Sequence, residues 1–218
     1  MDKNQLGVKY MQEGNWEDAA KAFNEAISES PQDPVAYINF GNVLSAVGDD
    51  EKALKFYEKA IELDENAAAA YYSAGNVHYS QQRYDEAKNM FEKAMQKGLQ
   101  SSDNYFLLGM CLVQLGQGRL ATPYLQRSVE LNESDVEAHF QFGLCLLQAE
   151  LIDHAIEQFE KCIEIDSNYA NAYYFTGTSL AYKGSTEKSI SMLEKALELD
   201  PDHMLAGQAR SIIEQLKN

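Results

Sequence analysis

Residues Pro34–Ala67 read PVAYINFGNVLSAVGDDEKALKFYEKAIELDENA, and this stretch decides the fold. In its first half Tyr37, Phe40 and Leu44 recur at the spacing of one face of a helix. A Gly-Asp-Asp sequence at residues 48–50 interrupts that pattern, and apolar residues at helical spacing resume after it. The stretch therefore predicts two antiparallel helices joined by a short turn.

The same pattern returns every 34 residues. Six glycines mark it without an insertion: Gly7, Gly41, Gly75, Gly109, Gly143 and Gly177. A fixed period of this length indicates stacked helix-turn-helix units that share one continuous core. When the glycine is numbered as position 8, the sequence predicts a single array over residues 1–218, with repeats 1–33, 34–67, 68–101, 102–135, 136–169 and 170–203 and a capping helix over 204–218.

Three further positions alternate in size in a way that favours close helix packing. Positions 20 and 27 are small in every repeat, and position 24 is large: Phe23, Tyr57, Phe91, Leu125, Phe159 and Leu193. Large side chains opposite small ones allow helices to interdigitate without voids. We therefore expect the position-24 side chains to fill the space that the glycines leave.

The residue pattern of these units resembles the tetratricopeptide repeat. That pattern is an aromatic residue, an apolar residue and a glycine, followed by Ala, a large apolar residue, Ala and Pro within 34 residues. The resemblance covers essentially all 218 residues. It implies an all-α, right-handed solenoid of six repeats plus a C-terminal capping helix. Three residues depart from the pattern: Lys3, His78 and Pro123, of which Pro123 should bend or loosen the start of its helix.

The charge argues against nucleic-acid binding. The chain has 34 acidic and 18 basic residues and a net charge of -16, which repels phosphate. Five of the acids stand where second helices should begin, and there they favour the helix dipole: Glu17, Glu51, Asp85, Asp153 and Glu187. No apolar stretch approaches the ~20 residues that span a bilayer, so no membrane role is expected.

The residues that could carry chemistry are scattered. Cys111 and Cys145 occupy the same repeat position on an apolar face, and we expect both, with Cys162, to be buried thiols in a reducing cytoplasm. The four histidines occupy four different repeat positions, and His139 should be packed rather than bound to a metal. We therefore expect no enzyme activity, no metal and no cofactor.

The family resemblance implies that positions 2, 5, 6, 9, 12 and 13 line a concave groove that binds peptides. Ten groove residues follow for this chain: Asn39, Asn42, Tyr72, Asn76, Phe106, Met110, Phe140, Leu144, Leu147 and Tyr174. The asparagines suit the backbone of an extended peptide, and the apolar residues of repeats four and five suit apolar anchors. Packing between neighbouring first helices is the alternative role for the aromatic residues.

The predicted partner is another protein, bound through an apolar peptide or helix with neutral or basic flanks. The family's carboxylate clamp is absent, because positions 2 and 6 hold no Lys or Arg, and Asp103 and Glu137 occupy position 2 instead. An acidic partner would therefore meet like charge. Two other roles remain open: the chain could be a self-associating assembly factor, or an accessory domain of a larger protein. Because the first helix starts abruptly, we also expect residues to precede Met1.

Overall fold

A computed structural model describes residues 2–202 and 204–217. Thirteen α-helices and no strand make up this part of the chain, as the period predicts. Met1, His203 and Asn218, which bound the first repeat, the sixth repeat and the predicted capping helix, lie outside the described residues. None of the described helices is long and apolar enough to cross a bilayer.

The helices alternate between first and second helices of the repeats. First helices are α1 (Lys3–Gln12), α3 (Pro34–Ala46), α5 (Ala68–Ser80), α7 (Ser102–Gln114), α9 (Val136–Gln148) and α11 (Ala170–Tyr182). Second helices are α2 (Trp16–Glu29), α4 (Asp50–Leu63), α6 (Tyr84–Gln96), α8 (Gly118–Leu131), α10 (Ile152–Ile165) and α12 (Thr186–Leu199), and α13 covers Ala206–Lys217. From α3 onward, every first helix begins at the residue predicted to open its repeat.

The chain forms two compact units, one up to Gly116 with α1–α7 and one from Gln117 with α8–α13. Within each unit every helix packs against the next one in the chain. In the second unit α13 contacts α11 and α12 and buries Ala209 and Ile213 against them. This apolar inward face is the arrangement expected of a terminal helix in a repeat protein.

The glycine at position 8 allows the two helices of a repeat to touch. A Cβ on Gly41 would lie 2.5 Å from Cε1 of Tyr57, and one on Gly75 would lie 2.6 Å from Cε1 of Phe91. Gly7, Gly143 and Gly177 meet their own position-24 side chains in the same way. The predicted pairing of a glycine with a large side chain in the same repeat is confirmed for these five repeats.

The small residue at position 20 marks a second close approach. Ala53, Ala87 and Ala155 are fully buried there. In the sixth repeat Ser189 takes the position, and its hydroxyl donates a hydrogen bond of 2.8 Å to the carbonyl oxygen of Gly177. Because Gly177 is at position 8, this bond shows the second helix lying directly on the backbone of the first.

The turn between the two helices has the same backbone conformation in every repeat. Position 15 has a positive φ throughout, for example 84° at Gly48. Two repeats place a side chain in this left-handed region, Gln82 with φ 59° and Glu150 with φ 62°. Glycine adopts this conformation without steric cost, whereas the Cβ of Gln82 and of Glu150 makes it unfavourable for these two residues.

The starts of the second helices confirm the expected placement of acidic residues. The acids predicted at the starts of second helices lie in the first turns of α2, α4, α6, α10 and α12. The carboxylate of Asp2 accepts a hydrogen bond of 2.7 Å from the Gln5 amide and caps α1. Pro123 lies inside α8 without interrupting it, and the Thr122 hydroxyl donates to the Gly118 carbonyl oxygen in the same turn.

Gly75→Ala should lower the free energy of unfolding by about 1–3 kcal/mol, because its Cβ would overlap the Phe91 ring and force a shift in a packed core. Gly207→Ala is the matched control, since a Cβ there meets nothing within 4 Å on a helix. Urea titrations followed by circular dichroism measure both. Equal stability of the two variants would contradict the packing role of position 8.

Candidate functional site

Four of the predicted groove residues lie together on the first helices of the first unit. Asn39 and Asn42 project from α3, and Tyr72 and Asn76 project from α5, which packs against α3. All four are half-buried. We call this surface the asparagine face. Its side chains are neither fully buried in the core nor fully exposed to solvent.

Hydrogen bonds hold Asn42 in one orientation. The hydroxyl of Tyr57 on α4 donates to Oδ1 of Asn42 over 2.9 Å. Tyr57 is otherwise buried in the core, and burial raises its pKa to about 12, while a hydrogen bond with the side chain of Ser73 on α5 acts in the opposite direction. With Oδ1 engaged, the amide N–H groups of Asn42 are the part left for a ligand.

Tyr72 and Asn76 form a second pair on α5. Their side chains are hydrogen-bonded, and burial is the main cause that raises the pKa of Tyr72. The carboxylate of Asp103 on α7 adds to that rise, so the predicted acidic residue acts on this edge of the asparagine face. The Tyr72 ring also packs against the Phe91 ring, with 5.8 Å between the two ring centroids.

The two predicted anchors on α7 differ in exposure. Phe106 is half-buried, whereas Met110 is 9% exposed and belongs to the core. The expectation that Met110 projects into a groove is therefore corrected. Phe106 remains the apolar candidate in the first unit.

In the second unit two predicted groove aromatics are packing residues. Phe140 is 7% exposed, and its ring centroid lies 5.3–5.8 Å from those of Phe159, Tyr169 and Phe175. Tyr174 is 6% exposed and donates from its hydroxyl to Oε1 of Gln208 on α13 over 2.8 Å. Phe140 thus packs against α10 and α11, and Tyr174 links α11 to α13. Packing of this kind is the alternative role that the sequence left open.

Leu144 and Leu147 are half-buried on α9 and form an accessible apolar part of that helix. The acid at the start of α9 is already engaged. The two carboxylate oxygens of Glu137 accept hydrogen bonds of 2.7 Å from Gln141 and 2.9 Å from the hydroxyl of Tyr169. Glu137 thus orders the start of the helix as well as carrying charge.

The candidate chemical groups are packed away from solvent. Cys111, Cys145 and Cys162 are buried and free, and burial raises their thiol pKa to about 12, 11 and 12. His139 is buried, with ring nitrogens 2.8 Å from Oε1 of Gln158 and 3.2 Å from the carbonyl oxygen of Glu133. The prediction that the three thiols are buried and that His139 is packed is confirmed. No cluster that could hold a metal ion occurs among residues 2–202 and 204–217.

Comparison with known proteins gives the family. Profiles of the tetratricopeptide repeat match residues 3–33, 67–98 and 170–203, and a TPR repeat profile matches 41–82. The crystal structure of YrrB, described as a TPR protein with an unusual peptide-binding site, is 51% identical over 88% of this chain and 99% of that one, with a TM-score of 0.83. The chain is a tetratricopeptide repeat protein.

Other matches of this tetratricopeptide repeat protein are partial or distant. Over 41 residues it is 54% identical to TPR repeat-containing protein YrrB of Bacillus subtilis (strain 168), and that stretch spans 20% of the relative's length. A profile for subunit 3 of the anaphase-promoting complex matches residues 88–162. A structure of Pseudomonas aeruginosa pilF has a TM-score of 0.80 at 21% identity over 96% of this chain and 95% of that one, which shows a shared fold.

Sequence reasoning about this tetratricopeptide repeat protein missed the second-helix contribution to the asparagine face. Tyr57 was assigned to the core from its repeat position, and that is where its ring lies. Its hydroxyl nevertheless reaches Asn42. The available signal was chemical, because Tyr57 is the one position-24 residue of the six repeats that carries a hydroxyl group.

Tyr57→Phe should lower the free energy of unfolding at pH 7 by about 1–2 kcal/mol, because Asn42 Oδ1 loses its donor. The difference from the unmodified protein should narrow as pH rises from 10 to 12, since the unfolded Tyr57 ionises in that range and the folded one stays protonated. Tyr182→Phe, at a side chain that is 82% exposed, is the control. A pH-independent difference in urea titrations would contradict the proposed environment of Tyr57.

Proposed function

We propose that the chain is a non-catalytic, cytoplasmic protein-interaction scaffold that binds an extended peptide segment of another protein on the asparagine face. The observation that carries this proposal is the set of half-buried, oriented amides on α3 and α5. The likeness to YrrB, whose structure is described as having a peptide-binding site, supports it.

Asparagine suits this task because its amide group carries both donors and an acceptor, as a peptide bond does. Side chains fixed in advance lose little conformational freedom when a ligand binds. Tyr57 fixes Asn42, and Tyr72 pairs with Asn76. An extended backbone crossing α3 and α5 would therefore exchange hydrogen bonds with amides that are already in place.

The charge of the chain favours a neutral or basic partner segment. The net charge is -16, and Asp103 adds an exposed carboxylate next to Tyr72. Lys or Arg residues that flank the bound segment would therefore be attracted, while an acidic segment would be repelled. Binding by this route weakens as salt is added.

Apolar anchors of a partner have a separate place in each unit. Phe106 offers a half-buried aromatic side chain in the first unit, and Leu144 with Leu147 offers an apolar surface on α9 in the second. Met110, Phe140 and Tyr174 are too buried to receive an anchor directly and instead support the helices beneath. The proposal therefore rests on seven of the ten predicted residues.

The asparagine face can be tested with peptides selected against the unmodified protein from a random 12-residue display library. Asn39→Ala combined with Asn76→Ala should weaken binding of those peptides about tenfold, since two hydrogen bonds of ~1 kcal/mol or less each are lost. This pair leaves the bond between Tyr57 and Asn42 intact. Fluorescence anisotropy with labelled peptides gives the affinities.

Asn89→Ala is the matched control, because Asn89 is an exposed asparagine on the second helix α6. Its variant should bind every selected peptide as the unmodified protein does. Unchanged affinity of the folded Asn39→Ala/Asn76→Ala protein for all selected peptides would refute binding at the asparagine face.

A further inference from the structure

A cavity of ≈ 350 Å³ opens between the second helices α4 and α6, over α5. We call it the second-helix cleft. Leu54 and Ile61 of α4 and Met90 of α6 form its apolar walls, and Glu58, Glu62, His78 and Lys93 contribute its charged and polar groups. Small-ligand pockets have volumes of about 300–1,000 Å³, so the cleft admits one long side chain rather than a helix.

His78 is out of place by the logic of the repeat. It holds position 11, where Leu44, Leu112, Leu146 and Leu180 stand in other repeats. Its Nδ1 is buried without a hydrogen-bond partner among the described residues, and burial lowers the pKa of the ring, with Arg83 acting in the same direction. A neutral imidazole with an unsatisfied buried nitrogen costs stability that leucine would not. A planar ring on the wall of the cleft is what the substitution provides.

Glu58 is the second unusual group. Its carboxylate has no hydrogen-bond or ion-pair partner in the part of the chain that the structure describes, although it acts electrostatically on His78. The neighbouring Glu62 is paired with Lys59 at 2.9 Å, and Lys93 lies over the Tyr71 ring, 5.7 Å from its centroid. Glu58 thus presents an exposed carboxylate, without an ion-pair partner among the described residues, to a cleft that Lys93 also lines.

The second unit contains the same cleft with different residues at these two positions. A cavity of ≈ 500 Å³ lies between α8 and α10, over α9, and residues at the same repeat positions line it. Gln126 stands at the position of Glu58 and Leu146 at the position of His78. Glu130 and His154 also line this second cavity, so it too holds a carboxylate and an imidazole. What is particular to the cleft of the first unit, compared with this one, is a carboxylate at position 25 and an imidazole at position 11 of the repeat.

We propose that the second-helix cleft binds the side chain of an arginine in a partner protein. The aliphatic stem of arginine matches the walls formed by Leu54, Ile61 and Met90. Its flat guanidinium can stack on the imidazole of His78 while it donates to the carboxylate of Glu58. Lysine carries the same charge as arginine but lacks the planar guanidinium that can stack on an imidazole. This site is separate from the asparagine face and does not depend on the proposed function of that face.

The test uses N-acetyl-arginine amide as a probe and N-acetyl-citrulline amide as its uncharged counterpart of the same shape. Protein labelled with ¹³C at methionine methyl groups reports binding through the resonance of Met90, assigned with Met90→Leu. Arginine should cause a saturable shift with a dissociation constant of about 1–10 mM, as suits a small fragment, and citrulline should bind at least about fivefold more weakly.

Two variants locate the effect. Glu58→Gln should reduce arginine binding to the level of citrulline, and His78→Leu, which restores the residue of other repeats, should weaken it about two- to fivefold by removing the stacked ring. Glu51→Gln, an exposed glutamate of α4 outside the cleft, is the control, and Asn39→Ala/Asn76→Ala should also leave binding unchanged. Equal shifts from arginine and citrulline, no saturable shift at Met90, or full binding by Glu58→Gln would each overturn the proposal.

Discussion

The contact between a glycine on the first helix and a large side chain on the second is the interaction on which the structure depends. At Gly41 the space that a Cβ would need is occupied by the Tyr57 ring, with 2.5 Å between the two positions. Because the helices touch there, the other side chains of the repeat are placed by the geometry of the pair. The same contact occurs in both units, from Gly7 with Phe23 to Gly177 with Leu193.

This contact explains why so much of the fold could be predicted. A 34-residue period makes a single repeat informative about all the others, so the starts of five first helices, the buried positions 20 and 24 and the buried cysteines all followed from it. Residues that depart from the repeat pattern could not be placed in this way. Asn104 is buried at a position where four of the other repeats have alanine. Its amide donates to the carbonyl oxygens of Phe91 in α6 and of Leu99 in the loop that follows α6.

The candidate site was harder to predict, because a repeat position gives the direction of a side chain but not its neighbours. Position 5 holds both half-buried Tyr72 and buried Phe140. The difference arises at the junction with the next repeat, where Tyr169 from the end of the same repeat and Phe175 from the next one pack against the Phe140 ring. Hydrogen bonds between helices cannot be predicted from the 34-residue period either, as the bond from Tyr57 to Asn42 shows.

The central claim is that the first helices of the first unit bind a peptide through their asparagines. The side-chain amide resonances of ¹⁵N-labelled protein test this directly when a selected peptide is added, since each asparagine gives its own pair of signals. The account predicts saturable shifts for Asn39, Asn42 and Asn76, with Asn89 on α6 unmoved. Shifts confined to second-helix residues, with the three first-helix asparagines unchanged, would contradict it.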